Sequence, residues 1–236
     1  MTLSYGKIFA GSTNVPAQQG DQRVTIVWLH DKDGHFFFFF LGCSVNFVKS
    51  LKLKNVRWIC PPVVYRNTSY DFGSNIKQDD REAIDSAAKL VAGFLLAEPL
   101  NVVKGVGGFG MGAVVALQFA TNCALGHYPL SPRVVVGING WLSIAGYIQS
   151  SIESTVGAVA RAAQQKILFS RPTDDRILPY TSEKEVVDSL NEAGFGEVYF
   201  LPLSRLEPIV PDTPSVTSLV KLWLTLNLPI SEYSAQ

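Results

Sequence analysis

The stretch Val103-Lys104-Gly105-Val106-Gly107-Gly108-Phe109-Gly110-Met111-Gly112-Ala113 narrows the choice of fold more than any other part of the chain. An apolar strand over 101–107 enters a glycine-rich corner and leaves it as a small-residue helix from 111 to about 124. Strand, tight turn and helix are the setting of the nucleophile elbow, G-x-S-x-G, in which a serine stands on a strained corner above a parallel sheet. The outer glycines are Gly108 and Gly112, and the residue midway between them is Gly110. The frame of the motif is present without its hydroxyl.

The rest of the chain supplies the sheet that such a corner needs. Val24-Thr25-Ile26-Val27-Trp28-Leu29 and Val134-Val135-Val136-Gly137-Ile138 are apolar runs of the kind that form strands covered on both faces. Shorter strands are predicted at Val56–Cys60, stopped by Pro61-Pro62, at Ile167–Phe169 and at 196–201. Between them the period turns helical. Ile84, Ala87, Ala88, Val91, Phe94 and Leu95 form one face after Asp79, and further helices are predicted at 152–165, 182–193 and 215–228. Strands alternating with helices imply a mostly parallel sheet with helices on both faces. Residues 1–20 read as a flexible arm and 63–80 as loop. With 236 residues and no internal change of composition, 21–230 is expected to form a single domain.

Charge and cysteine usage exclude some functions. Lysine plus arginine equals aspartate plus glutamate, at 20 each, so nothing in the net charge favours nucleic acid or an anionic membrane. No apolar run approaches the roughly 20 residues that span a bilayer. Residues 1–20 lack the basic and apolar regions of a secretion signal. Three cysteines without metal-type spacing fit a reducing compartment, so the expected location is cytoplasmic, with no metal. Cys43 and Cys123 read as small buried hydrophobes, with reactive thiols as the alternative. Phe36 to Phe40 are five consecutive phenylalanines. Their helix either fills a gap in the core or exposes an apolar patch to lipid, an acyl chain or a second copy in a homodimer.

Several of these segments together resemble the acyl-protein thioesterase group of α/β-hydrolases, the carboxylesterase and lysophospholipase-like enzymes, with plant members nearest. The resemblance rests on Trp28-Leu29-His30, Arg57-Trp58-Ile59-Cys60-Pro61, Gly107-Gly108-Phe109-Gly110-Met111-Gly112-Ala113, Val136-Gly137-Ile138-Asn139-Gly140-Trp141-Leu142, and the Asp-bearing loop before Pro179-Tyr180. It covers roughly 22–228 and implies the α/β-hydrolase fold. It also implies serine hydrolysis of long-chain acyl esters or thioesters through a Ser…Asp…His triad, without a cofactor.

Carried over position by position, that triad is incomplete. The nucleophile falls on Gly110 and the acid on Asp175, while the histidine maps to about Glu207 or Pro208. The only histidines are His30, His35 and His127, all before Asp175, whereas this fold takes its base after its acid. His30 reads as structural and His127 as a helix-end surface residue. The oxyanion loop, where the resemblance implies His-Gly-Leu-Gly-Asp, reads His30-Asp31-Lys32-Asp33-Gly34. The oxyanion donors would be the Met111 and Lys32 N–H groups, and Asp31 or Asp33 would oppose a negative charge there. Phe109, Trp141 and Leu142 are the candidates for lining an acyl pocket. The expected function is that of a pseudoenzyme binding an acyl or lipid ligand, an acylated protein or another protein partner. A residual carboxylic-ester or palmitoyl-protein thioester hydrolase is the first alternative, and an oligomeric module using Phe36–Phe40 the second.

Overall fold

A computed structural model describes residues 13–17, 22–31, 37–62, 78–140, 145–172, 183–203 and 214–230. Seven strands form one sheet: β1 (Thr13–Val15), β2 (Val24–Leu29), β3 (Val56–Cys60), β4 (Val103–Phe109), β5 (Val134–Ile138), β6 (Lys166–Pro172) and β7 (Glu197–Leu203). Their order is β1-β3-β2-β4-β5-β6-β7, and every pairing is parallel except β1 with β3. The helices are α1 (Phe37–Ser50), α2 (Gln78–Leu96), α3 (Met111–Leu125), α4 (Ala145–Ser154), α5 (Ala158–Ala162), α6 (Glu183–Glu192) and α7 (Pro214–Asn227).

The β-branched runs form the central strands because both of their faces are covered. All six residues of β2 and all five of β5 are buried. On one face Val27, Leu29, Val106, Val135, Ile167 and Phe169 pack against residues of α2 to α6. On the other, Trp28, Trp58, Ile138 and Leu168 pack against Phe47, Val48 and Leu51 of α1 and Val216, Val220 and Leu224 of α7.

Three expected boundaries move. Thr13–Val15, inside the segment read as an arm, pairs with Trp58–Cys60 as an edge strand. The strand expected over 101–107 runs on to Phe109, because Gly107 and Gly108 are strand residues under close neighbours. A β-carbon on Gly107 would strike the Trp28 ring, and one on Gly108 would strike the Leu29 carbonyl and the Gly112 backbone. The helix expected over 152–165 is two helices, α4 and α5, parted where Gly157 adopts φ 75°. The five-phenylalanine run enters α1 at Phe37, as a helix, but its side chains lie outside the described residues. So do the side chain of Cys43 and residues 63–77 of the expected loop.

Candidate active site

After the edge strand β1, the parallel part of the sheet starts in its middle, at β2. The chain moves one way to β3, returns past β2 to β4, and then proceeds the other way. The carboxyl ends of β2 and β4 lie side by side, and the chain leaves them toward opposite faces, to α1 after β2 and to α3 after β4. The crevice at such a switch point is where open parallel sheets bind ligands. His30 and Asp31 leave β2 on one side of it, and Gly110 leaves β4 on the other.

Gly110 is the N-cap of α3, with φ 52° and ψ −115°. Its N–H donates to the Ile138 carbonyl at 2.9 Å, and its own carbonyl accepts from Ala113 and Val114. The two glycines of the frame allow α3 to start this close to the sheet. A β-carbon on Gly112 would lie 2.6 Å from the Leu29 oxygen and 2.8 Å from the His30 oxygen. The helix behind the corner is buried from Met111 to Ala124, which explains its alanine, valine and glycine content.

The first free N–H of α3 is already engaged. Met111 N–H donates to Oδ1 of Asp31 at 2.8 Å, across 80 positions of sequence. Gly110 has no side chain to cap the helix, and Asp31 caps it from the neighbouring loop. Negative charge at a helix N-terminus is favoured both by the hydrogen bond and by the macrodipole. The Asp31 carboxylate also fills the space above the corner. A β-carbon on Gly110 would fall on its Cγ and both of its oxygens.

His30 holds this loop in place. It is buried, and its Nδ1–H donates to the Asp31 carbonyl at 2.6 Å. Burial lowers its pKa below the ordinary 6.5, and the Asp31 carbonyl and carboxylate oppose that shift only in part. The ring is therefore neutral near pH 7. His127 lies exposed beyond the far end of α3, which ends in a left-handed turn at Gly126. At 1.5 Å per residue that is about 22 Å from the corner. Burial pushes the Cys60 thiol up to about 12 and raises that of Cys123 too, so both are inert hydrophobes at neutral pH.

Of the predicted site residues, Gly110 and Met111 meet at the corner, and Asp31 joins them. Phe109 turns to the α1 side, where its ring stands edge-on to Trp28 at 5.3 Å and to Phe47 at 5.0 Å. Lys32, Trp141, Leu142 and Asp175 lie outside the described residues. Among the described residues no group of three or more histidine, cysteine or acidic side chains could hold a metal ion. No helix among them is long and apolar enough to cross a membrane.

No protein-family model and no curated protein matches the sequence. Solved structures do. Acyl-protein thioesterase 2 from Zea mays is 30% identical and superposes with a TM-score of 0.76, over 92% of this chain and 98% of that one. The chain belongs to the acyl-protein thioesterase family of α/β-hydrolases. More distant solved structures share the fold. SOBER1 from Arabidopsis thaliana is 19% identical with a TM-score of 0.60, over 87% and 99% of the two chains. An α/β serine hydrolase without a lid from Xanthomonas campestris is 17% identical with a TM-score of 0.55, over 93% and 89%. Within the family fold, the corner at Gly110 stands at the carboxyl end of β4 where the elbow is expected.

Proposed function

We propose that the protein is a catalytically degraded member of this family, a hydrolase scaffold that binds an acylated ligand or a protein partner without turning over esters. The observation that carries this reading is the corner. Gly110 offers no hydroxyl, and the Asp31 carboxylate fills the space where one would stand and takes the Met111 N–H. Serine chemistry needs an alcohol, a base within hydrogen-bond reach and a third group orienting that base. Gly110 lacks the first. The two described histidines do not supply the second: His30 is bonded to its own loop, and His127 is at the wrong end of α3.

With triad members gone, the residual acceleration from an oxyanion hole and binding is at most roughly 10³–10⁴-fold. A carboxylate seated on the one described N–H donor opposes even that, because it repels the developing oxyanion. Asp175 is then a retained acid with no base to orient. The same reading puts the protein in the cytoplasm, in keeping with the free, buried thiols of Cys60 and Cys123.

A fluorophosphonate probe and a p-nitrophenyl ester, applied to the full chain, test the loss of turnover. We expect no covalent label and no hydrolysis above a heat-killed control. Labelling would favour the residual carboxylic-ester or thioester hydrolase instead. Native mass spectrometry with a long-chain fatty acid or acyl-CoA tests the ligand half, with a retained mass as the expected result.

A further inference from the structure

We propose that Asp31 is a built-in ligand of the corner, and that Gly110 is a glycine because Asp31 is there. This deepens the reading of the same site. It links two departures from the family pattern, one on the loop after β2 and one on the turn after β4, as a single steric and electrostatic unit.

Three observations converge on it. The Asp31 carboxylate accepts the Met111 N–H at 2.8 Å, at the N-terminus of a 15-residue helix with no cap of its own. The same carboxylate coincides with the β-carbon that any other residue would bring to position 110. Its backbone is held as well, since the Asp31 carbonyl accepts from buried His30 at 2.6 Å. A side chain at 110 and a carboxylate from 31 exclude each other. The crevice holds either a nucleophile facing an open N–H or an internal anion over a bare glycine, and this chain has the second arrangement. The corner is thus a carboxylate-receiving site whose occupant is intramolecular, so an external acyl carboxylate or ester oxygen reaches the Met111 N–H only if Asp31 leaves it.

The full chain contains two methionines, Met1 and Met111, so ¹⁵N-methionine labelling gives an almost bare spectrum in which the Met111 amide is read directly. In Asp31→Ala we expect that resonance to move upfield and the melting temperature to fall by about 2–4 °C, the loss of one capping interaction in a chain of this size. Sodium acetate, but not matched sodium chloride, should reverse both changes by putting a carboxylate back on the amide. In Asp31→Asn, which keeps an oxygen acceptor, the resonance should move less and ignore acetate. Gly110→Ala should lower the melting temperature more in the parent than in the Asp31→Ala background, because the collision is absent there.

A Met111 amide unmoved by Asp31→Ala, an acetate response no larger than that to chloride, or strictly additive costs for the two substitutions would each overturn the proposal. If Asp31→Ala does not fold, Asp31→Leu keeps it testable, since it keeps the shape without the acceptor oxygens and an unmoved Met111 amide there overturns the proposal equally. Ester turnover by the native chain would sink the pseudoenzyme reading without touching this result, so the two can fail separately.

Discussion

Gly110 sits at φ 52° and ψ −115°, a backbone state in which a β-carbon costs about 1–3 kcal/mol. The natural hydrolase corner bears that strain to expose its serine. Here the strain is relieved, and a returning side chain would meet the Asp31 carboxylate as well. Gly110→Ser is therefore expected to melt at a lower temperature than the parent and to show no gain in p-nitrophenyl ester turnover. Turnover clearly above the parent, or a raised melting temperature, would contradict this. The bare corner can be read directly from the sequence, since glycine stands where the frame calls for serine. The seat of Asp31 can be read only in part. Its charge and its position after β2 mark it as hostile to an oxyanion, but the hydrogen bond to Met111 depends on a loop path that residue spacing does not fix.

The helix behind the corner shows how one residue type carries two messages. Gly108 and Gly110 look like one continuous turn after the strand, yet of the two only Gly110 turns. Gly107 and Gly108 are strand residues, made small by the Trp28 ring and the Gly112 backbone. A sequence pattern cannot separate a glycine that bends from one that is merely crowded, so the pattern ends the strand at Gly107, two residues early. The split between α4 and α5 escaped for a related reason: the apolar period carries on across Gly157 although the backbone there does not. Gly112 tests the crowding argument. In an isolated helix, glycine to alanine would gain about 1 kcal/mol. At Gly112 the new carbon would lie 2.6 Å from the Leu29 carbonyl and 2.8 Å from that of His30, both backbone atoms of a central strand end that cannot step aside. We expect Gly112→Ala to lose about 1–3 kcal/mol net, as an overpacked core does, read as a lower denaturant midpoint. An unchanged or higher midpoint would mean that α3 can lift away from β2.

Across the molecule, the two ends of the sheet are fastened differently. At the amino end of β2, Glu98 accepts hydrogen bonds from Thr25 and Gln22 and pairs with Arg57 of β3, each at 2.7 Å, and Arg57 also reaches Asn14 of β1. This polar knot is far from the corner and joins β1, β3, β2 and the turn before β4. At the carboxyl end, the Asp31–Met111 bond is the described side-chain link between the β2 loop and α3. Between the two ends runs α3, buried along its length, with Arg161 Nε donating to the Ala124 carbonyl and Gln165 to that of Ala120 at its closing turns. Because every residue of this helix from Met111 to Ala124 is buried, its inner amide protons can escape into deuterated solvent only when the sheet and the surrounding helices come apart together. The slowest-exchanging amides of Val115 to Cys123 should therefore report the same free energy as complete unfolding by denaturant, and a distinctly smaller value would show that α3 can breathe on its own. The buried rod at the centre of the fold thus serves as an isotopic clock for the molecule, ticking only when everything around it lets go.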